Sequence, residues 1–447
     1  MSKVRLLIEC TYVFENPKMK SGIQRVVRNV INNLNEIESY DYELIPVAFK
    51  GAELYQVVNL DVSSTDSLVK KLQSFLTKVR HRYWHYFGVL SEHIPFSQSL
   101  VSRRLLYLVM RAVGLSFSLP LKLVNYISEN HLEPKRALPL YPAKGDVLVL
   151  LDSSWHGDFF PHIEALKKQG VSLVSVIYDL IPLTHPQFCD EHLVDVFENW
   201  FSWIANKADG YMCISNTIKE QVQLSIAERL SQRQVEQRWF SSFYLGSDLD
   251  EVVGDGEVRN SLKSIFVRSA SVYSTVSTIE PRKNHAYQLD AFELLWQQGV
   301  DVRLCIVGKV GWKCKHLIDR IRNHPEYNTR LFMFNDLTDD ELLYTYNESK
   351  SLVFTSYVEG FGLPLVEASQ RNLRVICSDI PVFKEVGGNN FSYCDLYSPS
   401  SLARIICDYE SSGVFPAEGV MDGKWLSWRQ STQQFVSHLI SKLKETQ

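Results

Sequence analysis

Leu352-Val-Phe-Thr-Ser-Tyr-Val-Glu-Gly-Phe-Gly-Leu-Pro-Leu-Val-Glu-Ala-Ser369 is the stretch that decides how this chain is read. Its first four residues form a short apolar run, which predicts a buried parallel strand. A glycine loop follows, and then a helix in which Pro364 suits the first turn, where its missing N–H costs nothing. The order strand, glycine loop, helix places a ligand at the carboxyl edge of a parallel sheet. Gly360 and Gly362 let backbone N–H groups approach a phosphate closely. Glu359 falls in the loop, and Glu367 falls two turns later, inside the helix. Carboxylates repel phosphate but bind sugar hydroxyls well. One Glu for a transferred sugar and one for a ribose satisfies both constraints. Two glutamates eight apart are common by themselves, and a surface turn could carry them; the whole string behind a buried strand is uncommon.

The pattern repeats on either side. Val272–Thr278, Val302–Val307, Leu331–Phe334 and Val375–Cys377 read as further strands with helical segments between them. The first half has Val4–Ile8, Leu44–Phe49, Val147–Leu151, Leu173–Tyr178 and Tyr211–Ile214. Strands alternating with helices imply βαβ units and a mostly parallel sheet. A chain of 447 residues exceeds what one core usually supports. The expected class is therefore α/β, with two facing, doubly wound domains. The polar, glycine-punctuated stretch between Gly246 and Arg268 suits a linker. The expected units are 1–250, 268–422 and a closing helix at 423–447, where Trp425, Trp428, Phe435, Leu439 and Leu443 form a stripe.

Composition narrows the function. The net charge of −4 gives no argument for nucleic acid. The eight cysteines show no pair at the two-residue spacing of zinc or redox motifs, and most sit in apolar runs. A reducing, cytoplasmic setting fits. The N-terminal apolar run is too short for a signal peptide, and no run of 18 apolar residues exists.

Residues 61–145 break the alternation and read as a largely helical insert. Between Lys70 and Arg136 there are eleven Lys/Arg against three Asp/Glu, with aromatics interleaved. Such a stretch can lie on an anionic membrane surface, at the inner face of the plasma membrane. A solvated helical subdomain is the alternative.

On Glu359 and Glu367, an E-x7-E pattern, the chain resembles the retaining glycosyltransferases of family 4, whose fold is GT-B. The likeness continues through Arg374-Val-Ile-Cys-Ser-Asp-Ile-Pro-Val-Phe-Lys-Glu385 and is densest over residues 270–390. The resemblance implies that Glu359 contacts the donor sugar and Glu367 the ribose, and it implies retention of configuration. It makes Gly360, Phe361, Gly362 and Leu363 donor contacts.

Ser277-Thr-Ile-Glu-Pro-Arg-Lys-Asn-His285 also lies between a strand and a helix. Arg282 and Lys283 can neutralise a diphosphate and stabilise charge on a leaving group. Many relatives carry an Arg where this chain has Thr278, so Arg282 is the substitute candidate. The Glu-Pro-Arg-Lys-Asn form resembles bacterial O-antigen and capsule mannosyltransferases, which points to GDP-mannose. Gly308 and Lys309 end another strand and are further donor candidates.

On the other side, Gly22 and Arg25 of Ser21-Gly-Ile-Gln-Arg25 resemble the family's acceptor loop. Asp179 follows a strand and is a candidate for orienting the acceptor; relatives have His where this chain has Tyr178. His185 is a second candidate, although a His before Pro is more often structural. Asp248-Leu-Asp250 looks like a metal-binding D-x-D, but no other acidic cluster accompanies it. With Lys and helix N-termini on the diphosphate, no metal or other cofactor is expected. The expectation is a hexosyltransferase acting on a nucleotide-sugar donor and a lipid-linked oligosaccharide acceptor. A nucleotide-sugar epimerase of GT-B type and a non-catalytic subunit of a glycan assembly complex remain alternatives.

Overall fold

The computed structural model describes residues 3–17, 19, 22–37, 41–60, 72, 75–79, 82, 118–124, 136–157, 159–248, 256–267, 270–419 and 425–446. Among them are two sheets, each with helices on its faces.

The first sheet runs β4-β3-β2-β1-β5-β6-β7-β8. Its strands are β1 (Val4–Glu9), β2 (Tyr42–Lys50), β3 (Glu53–Val57), β4 (Ala137–Leu140), β5 (Val147–Leu150), β6 (Ser172–Ile177), β7 (Gly210–Cys213) and β8 (Trp239–Ser242). From β2 through β1 and β5 to β8 the pairing is parallel, with Leu6 opposite Val147. Strands β2, β3 and β4 pair antiparallel. The central strands are buried on both faces: Leu6, Leu7 and Ile8, and Val149 and Leu150, are fully enclosed. That is why they read as continuous apolar runs.

The second sheet runs β11-β10-β9-β12-β13-β14, every pair parallel. Its strands are β9 (Ser271–Val276), β10 (Val302–Val307), β11 (Leu331–Phe334), β12 (Ser351–Phe354), β13 (Arg374–Ser378) and β14 (Ser392–Cys394). The strand order reverses between β9 and β12, and in the first sheet between β1 and β5. In open α/β sheets, ligands bind outside the carboxyl ends of the strands at such switch points.

Four strands escaped the sequence reading: β3, β4, β8 and β14. Each has only three to five residues; Glu53 and Gln56 interrupt the apolar pattern of β3, and Pro139 interrupts β4. Strand β4 also falls inside the stretch assigned to the insert, whose last residues therefore belong to the sheet. Most of the remaining insert, with its membrane-surface reading, lies outside the described residues. The helix Asn260–Phe266 lies before the expected start of the second domain at residue 268. It nevertheless belongs there, because Leu262 and Ile265 are buried with Val272, Cys305 and Val307 against that sheet.

The helix Trp428–Glu445 packs on the first domain. Phe435 lies 4.9 Å from Phe243, ring centre to ring centre, and the Ser431 hydroxyl donates to the Tyr244 carbonyl at 2.6 Å. Ser427 and Gln430 form a capping box at its start. Between the two sheets lies a cavity of about 1070 Å³ lined by both domains.

Candidate active site

The loops that carry the two strongest sequence motifs leave β9 and β12, the neighbours at the second sheet's switch point. Glu359 ends up buried between two cations. Lys283 Nζ donates to its Oε1, the Arg282 guanidinium meets its Oε2 at 2.8 Å, and the Ser356 hydroxyl donates to Oε1 at 2.7 Å. Burial opposes its ionisation, but Arg282 and Lys283 outweigh burial and hold its pKa at about 2. Burial and the adjacent Arg282 pull the Lys283 ammonium down, with Glu359 opposing them. We take the pair as charged, since the carboxylate would otherwise be buried unpaired.

Arg282 is fixed from three sides. Its Nε meets Glu280 at 2.6 Å, its Nη1 reaches Glu359, and the same Nη1 donates to the Val358 carbonyl at 3.2 Å. Thr278, where relatives carry an Arg, also lines the cavity. Arg282 thus places a planar guanidinium beside Lys283 on the cavity wall. Glu280 had no assigned role from sequence, although it stands two residues before Arg282; burial holds its carboxyl above the usual range.

Gly362 takes φ +99, a left-handed conformation that favours glycine, and opens the helix Leu363–Gln370. Gly360 is required for a different reason. A Cβ there would fall 2.1 Å from the Tyr178 carbonyl oxygen and 3.2 Å from the Asp179 Cβ. The motif loop therefore touches the carboxyl end of β6 directly, and Ser215 donates to the Gly360 carbonyl at 3.0 Å. Asp179 comes to lie beside the cluster. Burial raises its pKa, while Arg282 and Lys283 counter this and Glu359 adds to it. Its Oδ1 accepts from the Ile181 N–H at 2.9 Å.

Glu367 faces the same cavity one helix turn and more from the loop. Its Oε1 pairs with Arg25 of the first domain, and its Oε2 accepts from the Tyr346 hydroxyl at 2.7 Å. Arg25 also donates to the Asp248 carbonyl at 3.0 Å. Arg25, expected at the acceptor side, is thus brought to Glu367 of the second domain. Asp248 is engaged elsewhere too, its Oδ2 accepting from the Trp428 N–H at 3.0 Å.

Gly308 and Lys309 line the cavity, as do Gly22, Phe361 and Leu363. A Cβ on Gly308 would clash with the Ser277 carbonyl at 1.7 Å, whereas one on Gly22 would meet nothing within 4 Å. His185 is not part of the cavity wall; its Nδ1 lies 2.9 Å from the Thr184 hydroxyl. Trp312 lines the cavity and bridges the domains, donating to the Phe188 carbonyl at 2.9 Å. Among the described residues, no group of His, Cys, Asp and Glu side chains is placed to hold a metal ion. Nor, among them, is any helix long and apolar enough to cross a membrane.

Residues 263–416 match the family described as Glycosyl transferases group 1. The chain is 36% identical over 312 residues to the serotype-specific mannosyltransferase WbdA of Escherichia coli, an alignment that takes in 67% of this chain and 38% of WbdA. The chain belongs to the family-4-like glycosyltransferases of GT-B fold. The O-antigen chain mannosyltransferase B of Escherichia coli is 28% identical over 167 residues, covering 36% of this chain and 44% of that protein. The matched stretches thus span less than half the length of each of these curated relatives. In fold it is similar to sucrose-phosphate synthase from Thermosynechococcus elongatus, with TM-score 0.54 and 14% identity over the whole of both chains. It is also similar to Anabaena Alr3699/HepE in complex with UDP and glucose, with TM-score 0.52 and 11% identity over 99% of this chain and 100% of that one.

Proposed function

We propose that this chain transfers a hexose, mannose from GDP-mannose, with retention of configuration to a lipid-linked glycan in bacterial surface polysaccharide synthesis. The observation that carries the reading is the placement of Glu359 between Lys283 and Arg282 at the switch point of the second sheet. In this reading the two cations receive the diphosphate and stabilise the charge it gains as its bond to the sugar breaks. Glu359 orients the sugar hydroxyls, and Glu367 accepts from the ribose. Glu359, held by two cations and a hydroxyl, is a poor nucleophile. Retention then requires the acceptor hydroxyl to approach the face that the diphosphate leaves, its proton passing to the departing phosphate oxygen. The relatives named as mannosyltransferases support mannose as the sugar. The basic stretch 70–136 supports an acceptor and work site at an anionic, cytoplasmic membrane face.

The test is a donor panel of GDP-mannose, UDP-glucose, UDP-galactose and UDP-N-acetylglucosamine, read by thermal shift and hydrolysis. GDP-mannose is expected to give the largest shift, and failure of every nucleotide sugar to bind would overturn the function. Proton NMR of the product then assigns its anomeric configuration. Flotation with anionic liposomes at low salt tests the membrane contact, which is wrong if the chain stays in the soluble fraction.

A further inference from the structure

The geometry points to Trp155 as the stacking platform of an acceptor subsite that takes a pyranose ring, with Ser153 and Gln24 at its polar edge. The word acceptor rests on the glycosyltransferase reading; saccharide binding at Trp155 does not.

The first sheet has its own switch point, between β1 and β5, and the donor-side cluster does not occupy it. The segment leaving β5 is Asp152-Ser-Ser-Trp155, and Ser153 and Trp155 both line the cavity, with Gln24 from the helix that follows β1. A ligand crevice is expected at this place in such a sheet. Trp155 is half-buried and rigidly backed. Its ring lies 5.4 Å from Phe197 and 5.5 Å from Trp200, the latter edge-on. The Trp200 indole N–H donates to the Ser154 hydroxyl at 3.0 Å, which pins the turn that carries Trp155. An aromatic plane held this way contributes contact area at low entropic cost.

Its neighbours are polar and enclosed. Gln24 donates to the Ser153 hydroxyl at 3.2 Å, and that hydroxyl donates to Asp152 at 3.1 Å. An aromatic floor with hydrogen-bonding groups at its rim matches a pyranose, which has apolar C–H faces and a belt of hydroxyls. A phosphate would require cations, and Arg25, the residue after Gln24, is committed to Glu367 and Asp248. An isoprenoid would leave the buried amide and hydroxyl edge facing hydrocarbon, at a cost.

The experiment is titration of the full chain with the methyl glycosides of manno-, gluco- and galacto-disaccharides, by calorimetry and saturation-transfer NMR. The wild type is expected to bind at least one of them. Trp155→Ala and Trp155→Leu should each weaken that binding by about tenfold or more, and Trp155→Phe should largely retain it. Trp155→Leu keeps apolar bulk without the π face, so it remains informative if the alanine variant does not fold. In transfer assays the acceptor KM should rise by a similar factor while the Kd for GDP-mannose stays within about twofold. Saccharide binding by folded Trp155→Leu at the wild-type level would overturn the subsite, as would a wild type that binds no saccharide. So would a loss of affinity that follows a polyprenyl tail and not the glycan. A wild type that binds no nucleotide sugar removes the transferase reading instead, and the saccharide titration still decides the subsite.

Discussion

Arg25 and Glu367 belong to different domains and form an ion pair across the cleft between them. The Arg25 fork also donates to the Asp248 carbonyl, so one side chain ties the first domain to the second and to the segment joining them. Glu367 is only 3% exposed at its side chain. Replacing Arg25 by Ala leaves that carboxylate, among the described residues, with the Tyr346 hydroxyl as its remaining side-chain donor. The expected cost is about 1–3 kcal/mol, read as a fall in Tm. Arg25→Lys should recover only part of it, because an ammonium cannot reproduce the fork. An unchanged Tm in both variants would show that the pair contributes nothing.

Arg282 is expected to resist conservative replacement. Its Nε and Nη1 serve Glu280 and Glu359 together, a span that a single ammonium does not cover. Arg282→Lys should lower kcat by about 10²–10³-fold if the guanidinium stabilises the leaving diphosphate. Steady-state kinetics beside a measured donor Kd separate this from weaker binding. A variant with normal kcat and raised KM would assign Arg282 to ground-state binding alone.

The acid behaviour of Glu359 follows from its cations. Its folded pKa of about 2 lies below the usual carboxylate value of about 4.3. A depressed carboxyl stabilises the fold fully above its unfolded pKa and loses that contribution as pH falls through its folded pKa. The stability gap between wild type and Glu359→Gln should therefore be widest above about pH 5 and should close towards pH 2. Urea midpoints at several pH values measure it. A gap that is the same at neutral pH and in acid would mean that Glu359 is not held ionised in the fold.

The two loops of the candidate site were legible because their residues are local in sequence. Leu352–Thr355 is apolar enough to be buried on both faces, and Glu359, Gly360 and Gly362 follow it directly. Lys283 and Arg282 stand the same way behind Val272–Thr278. What supports them was not legible. Ser356 is within the motif but gave no sign of bonding Glu359, and Tyr346 reaches Glu367 from the helix Asp339–Glu348, which lies outside the motif. The pairing of Arg25 with Glu367 was not legible either, because nothing in its surroundings announces a partner 342 positions away. The helix Asn260–Phe266 was lost for a related reason. Seven residues with Lys263 and Asn260 among them give too little periodicity to show that Leu262 and Ile265 cover a sheet.

Gly360 is where the two halves meet most tightly, and that makes it the sharpest probe of the assembly. The loop carbonyl accepts from Ser215, and the Cα lies so close to β6 that an added methyl would sit 2.1 Å from the Tyr178 oxygen. The clash is with backbone, so no side-chain rotation relieves it. Nearby, Glu385 of the second domain accepts from the N–H groups of Asn216 and Thr217 at 2.6 and 2.8 Å, capping a helix of the first. That strap resists separation, so the strain of Gly360→Ala must be shared between the loop and the domain contact. The expected result is a loss of about 1–3 kcal/mol of stability together with displacement of Glu359 from Asp179. Activity should fall by about 10²-fold or more, since misplacement by about 1 Å is enough. Isolated donor binding should suffer less, because Lys283, Arg282 and Glu359 all belong to the second domain. Thermal melting, donor titration and transfer assays on Gly360→Ala check the three parts. If transfer stays at the wild-type level, the close approach of the loop to β6 is not part of the working site.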